Sequence, residues 1–472
     1  GAGMRAASTG LQPAQRWAAH TAALRGAIAQ RERKCASKKV SAHARLVFLD
    51  TLGCALAGRI APEVAALEQQ SAALEPGEMR LPGGPGLGLH AACQILAVAP
   101  TWHEACEGHA FAHGRPGVPA VAALLPLALH RDASLGEFID ALAVAYEVGA
   151  RAGGWLRVAP GLHVDGNWPA LGVAAGVARL LGLSVAASMN AVAIAACQLP
   201  SSLYLPIRTG RNVRNLYLAH SATLGLDCAL AAQAGIDAPP DALAWYAEHC
   251  CAADPDELPK ASADLILDAY LKPFAAVRHV HYGALAARRI RARLDARTAG
   301  IRKIVLTIYE EATVYCGNPR PATPLAAQFS LTFGVAAMLR FGELDAASYQ
   351  APRFDDAELR RLEALVEVRI DPGLTTRRER GATLQVVAAG QSHEEKVGPG
   401  PDPDLLVDAE DAVAKFVHNA LSCVSSETSR AFCTAFLDAP AATPLRALWH
   451  LLPEASVNPS VSPVSLPGVS NA

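Results

Sequence analysis

Three histidines, two glutamates, a cysteine and an arginine fall within residues 103–115, in the stretch HEACEGHAFAHGR. The flanking residues are largely apolar, so these groups must be exposed, satisfied or used. Side chains that titrate near neutrality gather where a reaction has to move protons, although structural networks collect them too. His109 suits an acid or a base at neutral pH. Arg115 offers a planar fork for a carboxylate. Cys106 is a nucleophile only where its thiolate is stabilised. His109 and His113 stand four apart, so one helical turn would present both to a metal, with His103, Cys106 and Glu107 nearby. The run is not HExxH, because Glu107 stands where the second histidine belongs, and the sequence reads against a metal site.

Other charged groups recur downstream. Arg208, Arg211 and Arg214 are spaced three apart, and Lys272-Pro273 precedes Arg278, His279 and His281. If that last segment is extended, alternation puts His279 and His281 on one side. The glycine-rich LPGGPGLG at 81–88 lacks the GxxxxGK[ST] spacing of a phosphate loop and reads as a turn into a helix from about residue 90.

The elements that must position these residues are mostly helical. Apolar residues at helix spacing occupy 40–56, 118–130, 135–151, 166–181, 185–197, 217–233 and 240–248. Ser134, Ser184 and Pro239-Pro240 stand where helix starts are expected. Beyond Pro273 the pattern changes: 301–309, 365–371 and 382–389 read as strands, with helices at 283–297 and 326–339. The reading is a mainly α protein. A large helical domain covers 11–268 and is completed by 404–453, a smaller α+β lid covers 269–398, and 454–472 is an unstructured tail.

The chain has 472 residues, of which 51% are hydrophobic and only 6% aromatic, so a large core must be packed with small side chains. A net charge of −2 gives no electrostatic case for nucleic acid or an anionic membrane. Eleven scattered cysteines without CxxC fit reduced thiols, and no secretory pattern opens the chain, so a cytoplasmic protein is expected.

Six blocks, in order, resemble those of the MmgE/PrpD family: LVFLDTLGCALAG at 46–58, RPGVPAVAALLPLAL at 115–129, GLHVDGNWPALGVAAGVARLLGL at 161–183, AHSATLGLDCALAAQAGI at 219–236, KPFAAVRHVHYGALAA at 272–287 and CGNPRPATPLAAQFSL at 316–331. The resemblance spans about residues 40–450. It implies a large helical domain, a smaller α+β lid, a homodimer, and an active site between the domains that works on small polycarboxylates largely without metal or organic cofactor. Members include 2-methylcitrate dehydratase, cis-aconitate decarboxylase and iminodisuccinate epimerase.

By the same resemblance, His163 matches the family's proton-transferring histidine, Lys272 its active-site lysine and His281 the histidine closing that block. Arg214 stands where a lysine is common, which keeps the charge and removes an easily deprotonated group. The loop at 103–115 departs most. The family's aspartate-rich run is absent, Ala105 or Cys106 falls at its first aspartate, and Arg115 replaces the histidine of HPG. The expected function is a lyase or isomerase moving a proton on a small di- or tricarboxylate. His163, Lys272 and His109 would be catalytic, with Arg115, Arg214, His281, His103 and Cys106 contacting substrate. Two alternatives stay open: recruitment to another reaction, such as cyclisation or isomerisation of a less acidic substrate, and carboxylate binding without catalysis.

Overall fold

A computed structural model describes residues 12–453 apart from 34, 35 and 253; the tail expected at 454–472 lies outside the described residues. The protein is mainly α, with 21 α-helices among the described residues and one small mixed sheet in its C-terminal half.

The first core is built on two 21-residue helices, Lys38–Gly58 and Leu135–Trp155. Lys38–Gly58 is long and apolar enough to cross a membrane, yet 72% of its most apolar window is buried inside the molecule. Leu135–Trp155 starts where the sequence indicated. Ser134 accepts from the Glu137 N–H while the Glu137 side chain reaches back to Ser134, a capping box worth about 1 kcal/mol. Against this helix lies Pro169–Leu180, packed so closely that a Cβ on Gly172 would stand 2.5 Å from the Ala145 carbonyl oxygen. Alanine and glycine at such crossings explain how so few aromatic residues fill so large a core.

The second core gathers Ile207 and residues between Phe274 and Leu405. Its sheet has the order β4-β3-β5-β6, where β3 is Ile301–Ile308, β4 Val366–Ile370, β5 Ala382–Ala388 and β6 Gln391–Val397. β3 runs parallel to β4 and antiparallel to β5, and β5 turns into β6 through Ala389-Gly390, both at positive φ. A separate two-residue pair, β1 (Leu162–His163) with β2 (Ser202–Leu203), lies in the first half of the chain. The chain then returns to the first core through Ala409–Ala420 and Ser426–Asp438. There Phe416, Phe432 and Phe436 are buried, and Phe436 stacks on Phe48 at 4.4 Å.

Residues 278–293 form a helix, Arg278–Arg293, rather than an extended segment, so His279 and His281 diverge. His281 is buried and donates from Nε2 to the Ala276 carbonyl at 2.9 Å, whereas His279 hydrogen-bonds to the Tyr309 hydroxyl at 2.6 Å.

Candidate active site

A cavity of about 340 Å³ is lined by both halves of the molecule. The helical half contributes the loop containing Glu104, Glu107 and Arg115, with His163, Asp165 and Arg214. The α+β half contributes Arg278, His279, Glu311, Tyr315, Phe329 and Arg380, and Tyr270 and Lys272 lie on the crossing segment.

Local backbone geometry aims the loop. Gly108 exchanges two backbone hydrogen bonds with Tyr270, whose ring lies so near that a Cβ on Gly108 would meet its hydroxyl at 2.4 Å. Farther along, the His109 N–H donates to the Gly114 carbonyl at 2.8 Å. From the returning C-terminal helix, Lys415 donates to the Ala105 carbonyl at 2.7 Å and to the buried Asp50 at 2.5 Å. Glu104 itself is left-handed at φ 55°, a conformation costing a non-glycine residue about 1–2 kcal/mol.

That strained residue is where the site's cations meet. The Glu104 carboxylate accepts from Arg115 at 2.6 and 3.2 Å, from Arg214 at 2.5 Å and from Lys272 at 3.1 Å. Burial alone would raise its pKa; the three cations overcome that and hold it well below the usual carboxylate range. Asp165 is also buried and ionised-leaning, 3.6 Å from Arg115 and 3.8 Å from Arg214, with no hydrogen bond to either carboxylate oxygen.

Two other groups have the properties of proton carriers. Glu107 is buried against the start of the Gly117–His130 helix, accepting from the Gly117 N–H at 2.7 Å and the Tyr146 hydroxyl at 2.8 Å. Burial outweighs both bonds and pushes its pKa up to about 7. His163 lies over Tyr204, ring centroids 5.9 Å apart, and burial lowers its pKa to about 4. Its Nδ1 accepts the Asp165 N–H at 3.0 Å. A neutral imidazole bonded that way carries its proton on Nε2, so His163 offers the cavity a hydrogen-bond donor.

Residues 24–258 match the MmgE/PrpD N-terminal domain and residues 274–437 match the MmgE/PrpD C-terminal domain. The chain belongs to the MmgE/PrpD family. That family includes enzymes such as dehydratases, and membership supports activity of the dehydratase or lyase type. No curated protein matches the chain.

Within this MmgE/PrpD cavity the sequence-derived residues separate. His163, Lys272, His109, Arg115 and Arg214 come together at its wall, while His103, Cys106 and His281 do not line it. His103 faces a different cavity beside Trp102 and Gln328. Cys106 lies behind the wall, accepting from Arg115 at 3.2 Å, and burial raises its thiol pKa, which opposes a nucleophilic role. His109 has both ring nitrogens committed to backbone: Nε2 donates to the Leu265 carbonyl at 2.7 Å and Nδ1 accepts the Ala112 N–H at 3.3 Å. This geometry makes His109 a clasp between the loop and residue 265. The loop is not helical, so His109 and His113 share no face; His113 pairs with Asp256 instead. No group of three potential metal ligands occurs among the described residues.

Sequence reasoning gave no site role to Glu104, Asp165 or Tyr270, named Arg278 only beside Lys272, and weighed Glu107 only as a neighbour of a metal site. Both glutamates stood in the run that drew attention. Comparison with the family's aspartates directed it to Ala105 and Cys106 instead, and nothing in the spacing marked residue 104 as the point where distant cations converge.

Proposed function

We propose that this MmgE/PrpD protein is a lyase or isomerase that moves a proton on carbon next to a substrate carboxylate. The observation that carries the reading is the pairing of Glu107 with His163 in one cavity. The first is a carboxyl with a pKa of about 7, suited to accept a proton at neutral pH, and the second is a neutral imidazole with a free Nε2–H. Glu107 takes the proton from carbon. His163 donates a hydrogen bond from Nε2 to the oxygen that gains charge. Cationic side chains lining the same cavity stabilise the enolate-like charge without having to reorganise.

Proton–deuterium exchange into candidate acids, followed by NMR in D₂O, tests this. Enzyme-dependent exchange that is lost in Glu107→Gln and in His163→Ala is expected. Undiminished exchange in both variants would overturn the assignment.

A further inference from the structure

We infer that the cavity takes a substrate with a single carboxylate, seated on Arg278, and excludes di- and tricarboxylates. The inference rests on the carboxylate reading above and adds the charge class of the substrate.

Arg115, Arg214 and Lys272 are the cations best placed to grip a polycarboxylate, but Glu104 already takes hydrogen bonds from all three. Asp165 adds a second negative charge beside the two arginines. These five groups therefore leave one positive charge uncompensated. At the cavity mouth Arg380 stands 3.6 Å from Glu311.

Arg278 differs from the others. Among the described residues, no carboxylate lies within ion-pair distance of it. Its Nη2 reaches only the Leu405 carbonyl, at 3.4 Å, and its Nη1 is buried without a hydrogen bond. The guanidinium lies 4.9 Å over the Tyr270 ring, which holds its plane. A buried guanidinium nitrogen without an acceptor is an unmet demand that a ligand carboxylate satisfies. In the same cavity, Tyr204, Tyr270, Tyr315 and Phe329 offer a wall for an apolar or unsaturated body. A second or third substrate carboxylate would be desolvated next to Glu104 and Asp165, where each cation is already hydrogen-bonded to Glu104, which the site penalises.

The test uses the full chain at pH 7.5. Calorimetric titration with 3-phenylpropanoate, crotonate, succinate and tricarballylate gives the charge preference, and the same acids are assayed for exchange in D₂O. Wild-type protein is expected to bind a monocarboxylate at least tenfold tighter than tricarballylate. Arg278→Gln is expected to weaken that binding about tenfold to a hundredfold. Glu104→Ala, which frees three cations, is expected to admit succinate or tricarballylate. Wild-type preference for a polycarboxylate would overturn the inference, and accompanying exchange would leave the proton-transfer function standing. An unchanged monocarboxylate affinity in Arg278→Gln would also overturn it. The expected binding order without exchange at any carbon would support the charge class and remove the proposed function; absence of binding by every acid would remove both.

Discussion

Replacing Glu107 with glutamine should separate activity from stability, and the two effects should run in opposite directions. Glu107 is buried, and its pKa is raised from 4.5 to about 7. Between those values the unfolded chain has released the proton that the folded chain retains. The folded state therefore binds more protons, and stability falls as pH rises through this window. A shift of that size corresponds to about 3 kcal/mol, lost by pH 8 relative to pH 4.5. Glutamine has nearly the same shape. Its amide oxygen can accept the Gly117 N–H, while its NH₂ donates to the Tyr146 oxygen once that hydroxyl turns. The variant should thus match wild type near pH 5 and exceed it by about 2–3 kcal/mol at pH 8, read from urea midpoints across that range. Activity should behave differently. A base with a pKa of about 7 gives wild-type kcat/KM an ascending limb with its midpoint there. Glu107→Gln should remove the limb and cost about 10²- to 10⁴-fold in rate. A variant with wild-type turnover, or one whose stability shows the wild-type pH slope, would refute the reasoning.

Three further outcomes are expected. The pKa values of His103, His163 and His279 are lowered by burial, the first two to about 4 and the last to about 3; they stay neutral in the fold while the unfolded chain protonates below 6.5. Stability should fall from pH 6.5 towards 4 by about 1.4 kcal/mol per pH unit for each retained proton difference, and a flat denaturation midpoint over that range would contradict this. Lys415→Met leaves buried Asp50 without its ion-pair partner and should cost about 3–5 kcal/mol, whereas adding Asp50→Asn should recover much of the loss in urea unfolding. Gly172→Ala drives a methyl group towards the Ala145 carbonyl and should lower stability by at least about 1–3 kcal/mol, seen as a reduced Tm; an unchanged Tm would mean that the helix pair yields more easily than its spacing indicates.

Local signals made the helices legible. Ser134 and Ser184 cap the helices they precede, and the apolar periodicities at 118–130 and 217–233 coincide with Gly117–His130 and Tyr217–Gln233. β6 escaped because QSHEEKV carries almost no apolar alternation; it is held by backbone pairing to β5, and its turn is Ala-Gly rather than the more conspicuous Asn-Gly. The site was legible in part. Arg115, His163, Arg214 and Lys272 belong to four separate segments and meet at one wall, which the family resemblance implied. Their common partner was not legible, because Glu104 acquires its role from a left-handed backbone angle and from cations up to 168 residues away. His109 shows the reverse: a titratable residue in a suggestive run whose ring is used to fasten backbone.

The return of the chain to its first core has a consequence during synthesis. Lys415 braces the Ala105 carbonyl, and Phe416, Phe432 and Phe436 complete the packing around Phe48, yet all four follow the whole sheet-bearing half. At about 5–20 residues per second, roughly 7 to 30 seconds of translation separate residue 269 from the helices that close the core. During that interval an emerging apolar surface lacks its cover, and the loop bearing Glu104 lacks its brace. A nascent chain halted before residue 409 should therefore need chaperone protection that the finished chain does not.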